Sequence, residues 1–233
     1  MKKVLILGLI LVFSIPLLSF AQVAPVNTYS IGDTVENFTL MSVDGKPYTL
    51  FTELEKEGSK GVLLMWVSWN CPISNNCDDR MIEVASFCQE NNITFFGINP
   101  NSIYYDGPNE AILAAAKEAG FNFPVLRDWN AIYTDKFRSR ATPTAILIDT
   151  EKVIRYRGRI DNAHGWLATE RHPSRRQNIA PTEHTLMNVL NEFLAGEELS
   201  VTDVRSSGCT IKRLSQYDQN HDEYKKWHGK GGN

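Results

Sequence analysis

Cys71 and Cys77 stand six residues apart in the stretch VSWNCPISNNC, residues 67–77, directly after the apolar run from Gly61 to Val67. A cysteine at a strand-to-helix junction has thiol redox or soft-metal chemistry open to it, with burial as a small apolar side chain as the inert alternative. Pro72 suits the first position of a helix, because the N–H it lacks has no helical partner there. A helix starting at Pro72 directs unpaired N–H groups and its dipole at Cys71, which stabilises the thiolate and lowers its pKa. The thiolate is the nucleophilic form.

The chain holds two further cysteines, Cys88 and Cys209. In a straight helix the Cα atoms of Cys71 and Cys77 are about 9 Å apart, beyond the roughly 7 Å that a disulfide spans. Pairing them requires the first turns to unwind. Cys77 also shares an apolar face with Ile73 and Met81, so a buried packing thiol stands level with a catalytic partner. Cys88 lies about 25 Å along the same helix and is read as core. Cys209 follows Ser206-Ser207-Gly208 in a tail able to fold back. That makes it the best candidate for a resolving cysteine that attacks an oxidised Cys71; a structural disulfide or a free tail thiol is the competing reading. Four cysteines allow three complete pairings, and one sequence does not choose between them.

The elements that must position these thiols follow from periodicity and turn signals. Residues 61–67 form a buried strand. The apolar positions Ile73, Cys77, Met81, Val84 and Cys88 mark one face of a single helix over about 72–90, ended by Asn91-Asn92. Strands are expected at 93–98, 123–126 and 144–148, with a hairpin partner at 153–156, and helices at 109–119, 130–138 and 182–195. The order β-α-β-α-β-α-β-β-α predicts an α/β fold, a mixed central sheet with helices on both faces. Residues 161–181 form a long loop that leaves the hairpin on the cysteine side. Its Trp166, Arg171, His172, Arg175 and Arg176 are candidates for a substrate wall, against the plainer reading of a solvated loop.

The N-terminus reads as an export signal. Met1-Lys2-Lys3 is a positive n-region, residues 4–20 are apolar, and Ser19-Phe20-Ala21 places small residues at −3 and −1 of a cut after Ala21. An uncleaved single-span anchor is the alternative, with about 17 apolar residues at the short end for spanning. The expected divisions are a signal peptide over 1–21, one folded domain over 22–198, and a tail over 199–233 that carries Cys209. Export to a periplasm, or secretion, puts the four cysteines where disulfides persist, with no stable membrane anchor after cleavage. A length of 233 residues suits one domain with a sizeable core. A net charge of −3 gives no nucleic-acid signal.

Several motifs resemble the thioredoxin-like redoxins. Ile31-Gly32-Asp33, Phe38-Thr39-Leu40 and Asp44-Gly45-Lys46 look like the opening of redoxin domains. Cys71-Pro72-Ile73-Ser74-Asn75 looks like the active-site segment of exported members. Ala141-Thr142-Pro143-Thr144 looks like the cis-proline loop. The stretches from Tyr156 to Asp161 and from Gly208 to Lys212 resemble a peroxiredoxin-like branch of the alkyl hydroperoxide reductase/thiol-specific antioxidant family. Together these cover roughly residues 29–214. The resemblance implies a thioredoxin-like fold and a cis bond before Pro143, in a loop that faces Cys71 and offers backbone groups to a substrate. Ser68 and the Thr142 hydroxyl are expected to add hydrogen bonds to the Cys71 sulfur. The chain departs from the family patterns. Ser68 replaces the first cysteine of C-x-x-C; Leu64 stands where a peroxiredoxin carries proline, and Pro143 stands near the place of its arginine.

Two function classes follow. The first is an exported thiol-dependent oxidoreductase, an antioxidant-type enzyme needing no cofactor. Cys71 attacks a protein or small-molecule disulfide, or a peroxide, and Cys209, Cys77 or an external thiol resolves the product. The missing proline and arginine tilt it toward thiol exchange. The alternative is a thioredoxin-fold copper-binding carrier. Thiolates select Cu(I) and a histidine completes such a site, with His164, His172 and His184 available. Its cysteines are spaced C-x-x-x-C, whereas five residues separate Cys71 and Cys77 here.

Overall fold

The computed structural model describes residues 27–163 and 180–213. In chain order, its first elements are β1 (Thr39–Ser42), β2 (Pro47–Thr49), α1 (Leu50–Leu54), β3 (Gly61–Trp66), α2 (Pro72–Asn75) and α3 (Asp78–Glu90). Next come β4 (Ile93–Asn99), α4 (Ile103–Asp106), α5 (Asn109–Glu118), β5 (Val125–Arg127), a 3₁₀ turn (Trp129–Ala131) and α6 (Ile132–Lys136). The chain then forms β6 (Ala141–Thr142), β7 (Thr144–Asp149), β8 (Ile154–Gly158), α7 (Thr185–Ala195) and β9 (Cys209–Thr210).

Every residue of β3 and β7 is buried, as expected for central strands covered on both faces. They pair antiparallel, Leu64 opposite Ile146, while β3 and β4 pair in parallel. The sheet order is β2-β1-β5-β4-β3-β7-β8. This is the mixed, helix-covered sheet of a thioredoxin-like fold. Alternation along the strands divides the core. Leu63, Met65, Ala145 and Leu147 face Met81, Val84, Cys88, Ile112 and Val189, from α3, α5 and α7. Val62, Leu64, Trp66, Ile146 and Ile148 face Leu50, Leu54, Phe137 and Ile211. Each fully buried Leu or Met side chain contributes about 1.5–3 kcal/mol.

One expected element is broken. The single helix over about 72–90 is two helices, separated at Asn76 and Cys77. The Cys77 N–H bonds the Ser74 carbonyl three residues back, and the Asn75 side chain donates to the Trp69 carbonyl at 2.8 Å. Side-chain amides compete with the helical ladder in this way. Cys77 becomes the N-cap of α3, its carbonyl accepting from Met81 at 2.8 Å. The straight-helix separation of Cys71 and Cys77 therefore does not apply.

The tail is docked on both sides of Cys209. Arg157 donates its backbone N–H to Thr202 at 2.8 Å, accepts from Val204 at 3.0 Å, and pairs its guanidinium with Asp203. β9 then pairs antiparallel with β6, placing Cys209 opposite Thr142. Ile211 is fully buried, Ser102 donates to the Lys212 carbonyl at 2.7 Å, and Arg213 pairs with Asp135.

A methyl group at Gly208 would collide with the backbone of Thr142. Gly208→Ala should therefore weaken the β6–β9 ladder. In the reduced variant the Lys212 amide is expected to exchange with solvent about tenfold faster, equivalent to about 1.4 kcal/mol. Unchanged exchange would mean that the docked tail accommodates the methyl group.

Candidate functional site

β3 delivers the chain to the site, and residues 67–71 turn it into α2. The Cys71 N–H bonds the Ser68 carbonyl at 3.4 Å, and the Cys71 carbonyl accepts from Asn75 at 3.0 Å. Cys71 is the N-cap of α2 with Pro72 at its first position. The Ser74 N–H points at the Cys71 sulfur from 3.3 Å. With α2 only four residues long, this N–H, rather than a long helix dipole, is the local donor available to a thiolate.

The sulfur of Cys71 is bonded to that of Cys209, across 138 residues of sequence, with the Cα atoms 5.7 Å apart. That separation lies within the usual disulfide range. Cys71 is 0% exposed, whereas Cys209 is half-buried. The Thr142–Pro143 bond is cis, and the Thr142 carbonyl lies 3.3 Å from the Cys71 sulfur. It is the carbonyl, not the hydroxyl, that reaches the sulfur. The Thr142 backbone, which the resemblance offers to a substrate, is paired with the chain's own Cys209.

Ser68 is placed differently from the expectation. Its hydroxyl donates to Asp106 at 3.1 Å and accepts from Asn101 at 2.8 Å. It thus belongs to a buried network that the sequence motifs did not reveal. Asp106 Oδ1 also accepts from the Asn70 N–H at 3.0 Å. Its Oδ2 accepts from Asn99 and Asn101 at 2.7 Å each. Asn101 then accepts the Lys212 N–H at 2.7 Å, which ties the network to the tail two residues beyond β9. The available signal was Asn99-Pro100-Asn101-Ser102 at the carboxyl end of a strand, the edge where α/β sheets assemble sites.

Cys77 and Cys88 are free and buried. Burial pushes the Cys77 thiol up to about 11, partly opposed by the Arg80 guanidinium 3.0 Å from its sulfur. Burial alone pushes Cys88 to about 12. Trp66 is core, its indole N–H bonded to Thr134 at 2.8 Å; Trp69 is half-buried, bonded to the Ile112 carbonyl. Among the described residues no cluster of three His, Cys, Asp or Glu side chains is arranged to hold a metal. Trp166, Arg171, His164, His172, Arg175 and Arg176 lie outside the described residues, as does the cleavage site after Ala21.

Comparison with known proteins gives the following. The sequence model described as the AhpC/TSA family matches residues 31–157. A hypothetical protein from Sinorhizobium meliloti 1021 is 24% identical over 81% of this chain and 97% of its own, with a TM-score of 0.68. An uncharacterized conserved protein from Geobacillus kaustophilus is 22% identical over 80% of this chain and 93% of its own, with a TM-score of 0.66. These two solved structures share the fold. A secreted disulfide oxidoreductase from Mycobacterium tuberculosis is 16% identical over 68% of this chain and 95% of its own, with a TM-score of 0.43. No curated protein matches.

Two predictions follow from this geometry. Asp106→Asn places an amide N–H₂ where an acceptor is required, leaving a buried donor unpaired. It should lower the unfolding free energy by about 1–3 kcal/mol, measured by denaturant titration; a change below about 0.5 kcal/mol would deny the carboxylate this role. After reduction of the native protein, the half-buried Cys209 should alkylate at pH 8, while Cys77 and Cys88 should react only after unfolding. At that pH both buried groups lie well below their raised pKa values and stay protonated. Peptide mapping that found Cys77 modified as fast as Cys209 would contradict its burial.

Proposed function

The chain belongs to the AhpC/TSA family, and on that premise we propose that it is an exported thiol-dependent oxidoreductase whose Cys71 and Cys209 alternate between dithiol and disulfide. The observation that carries this is the bond between a cysteine capping α2 and a cysteine on a tail strand paired with the cis-proline segment.

In the reduced protein the Ser74 N–H supports the Cys71 thiolate, which attacks one sulfur of a substrate disulfide. The substrate bond breaks, its other sulfur leaves with the electron pair and takes a proton, and a mixed disulfide remains on Cys71. The Cys209 thiolate then attacks the Cys71 sulfur and displaces the second substrate thiol. The substrate is reduced by two electrons and the cysteine pair is oxidised by two. Peroxide reduction uses the same pair. Cys71 takes one peroxide oxygen as a sulfenic acid, releasing an alcohol or water, and Cys209 displaces that oxygen as water. Leu64 and Pro143, at the places of the peroxidase proline and arginine, favour thiol exchange.

Pro72 sets the start of α2, Thr142 and Pro143 form the wall beside the sulfur, and Ser68 acts through Asp106. Cys77, buried and with a raised pKa, is assigned to packing. The domain runs over residues 22–198 and the redox tail over 199–233. Export rests on the signal-like first 21 residues; no helix among the described residues is long and apolar enough to cross a membrane. The carrier reading is the weaker one, because Cys71 is consumed by the bond to Cys209 and Cys77, the second thiol of that reading, is buried.

Cys71→Ser should lower insulin-disulfide reduction by at least about a thousandfold. Cys209→Ser should retain the first attack and accumulate a mixed disulfide on Cys71, detected by intact-mass measurement. A Cys71→Ser variant that turned over normally would remove the nucleophile from this assignment.

A further inference from the structure

Beside the Cys71–Cys209 bond lies an open cleft of about 900 Å³. Ala141, Gly208 and Thr210, neighbours of Thr142 and Cys209, form the side toward the disulfide. The remaining wall is cationic. It carries four arginines, Arg138, Arg140, Arg157 and Arg205, against the single carboxylate of Asp203. Arg157 and Asp203 neutralise each other in an ion pair. Arg138, Arg140 and Arg205 have no carboxylate partner among the described residues. The chain as a whole has a net charge of −3, so this concentration of positive charge runs against the overall sign.

Arg138 holds φ +55°, the left-handed position that closes α6, with its N–H bonded to the Asp135 carbonyl at 3.1 Å and that of Ser139 to the Thr134 carbonyl at 3.0 Å. Here the backbone turn sets two arginines, Arg138 and Arg140, on one wall directly before β6. Guanidinium groups bind carboxylates through paired, charge-assisted hydrogen bonds. At the upper end of the range for ligand pockets, the cleft suits a peptide segment better than a small peroxide.

We infer that this cleft recruits a peptide thiol whose reacting cysteine is flanked by carboxylates, to reduce the Cys71–Cys209 bond; the inference rests on the redox reading above. The exposures fix the point of attack. Cys71 is sealed and Cys209 is half-buried, so the incoming thiolate meets the Cys209 sulfur. That bond forms as the Cys71–Cys209 bond breaks, and the electron pair leaves on Cys71, where the Ser74 N–H lies 3.3 Å from the sulfur. A second peptide thiolate displaces Cys209. Two peptide thiols become one peptide disulfide, and their two protons pass to Cys71 and Cys209.

The test uses the oxidised full chain and three capped peptides, Asp-Cys-Asp, Ser-Cys-Ser and Lys-Cys-Lys. Reduction is followed by quenched mass spectrometry. Each rate is divided by the same peptide's rate with a small uncharged disulfide, which removes differences in thiol acidity. At about 20 mM salt the Asp peptide is expected to react about tenfold faster than the Ser peptide, and the Lys peptide slower than both. At about 1 M salt, where screening acts within about 3 Å, the three rates should converge to within about twofold. In the triple variant Arg138→Glu, Arg140→Glu, Arg205→Glu the order should invert. The salt series on the unaltered chain decides the matter should that variant fail to fold. Equal rates for all three peptides at low salt overturn the cleft assignment and leave the redox reading standing. No exchange with any peptide overturns the redox reading and this inference with it.

Discussion

The carboxylate of Asp106 is the constraint on which the site's geometry depends. A buried charge is tolerated only when its oxygens are fully satisfied, and here four donors converge on two oxygens. Those donors come from the turn before Cys71 and from the end of β4. Asn101 extends the same network to the backbone of Lys212. The loop that carries one cysteine and the tail that carries the other are therefore referenced to a single buried group. That group is itself held by the strand ends of a sheet whose central members are entirely covered.

The two sulfurs nevertheless sit in different surroundings. Cys71 is closed in by α2, the Thr142 carbonyl and its partner, while Cys209 lies on a strand of two residues at the molecular surface. Docking on both flanks, through Arg157 and Asp203 on one side and Ile211 and Lys212 on the other, does not need the covalent bond. After reduction such docking would keep the second thiol close to the first, and so replace a bimolecular encounter with an intramolecular one. A long, freely moving tail would lose that advantage.

How much of this was legible in the sequence depended on the length scale of the signal. The runs 61–67 and 144–148 read as buried strands because every position is apolar, and the mixed sheet followed from their order. The proline at 143 and its cis bond were legible through a four-residue resemblance. The break in the helix after Cys71 was not. Ile73, Cys77, Met81, Val84 and Cys88 keep their periodicity across it, because periodicity reports which side is buried and not which carbonyl each N–H meets. β6 and β9, with two residues each, carry no period at all. Asp106 sits at the end of a four-residue helix, and its partners are short polar side chains that resemble any loop until the sheet brings them together. Arg138 and Arg140 were in plain view, two residues apart before the proline loop, but nothing local ties them to the tail residues from Asp203 onward that line the same cleft.

The position of Cys209 in the chain has a mechanical corollary. The bond to Cys71 closes a covalent ring across 138 residues, and that ring encloses most of the sheet, from the turn after β3 through β8. Pulled from its two ends, the oxidised chain cannot extend the enclosed segment, which withholds about 460 Å of contour length. Closing a loop of this size also removes about 5 kcal/mol of conformational freedom from the unfolded ensemble, on the chain-entropy model. Electron transfer at one sulfur pair thus sets whether the molecule behaves under tension as a thread or as a knotted bead.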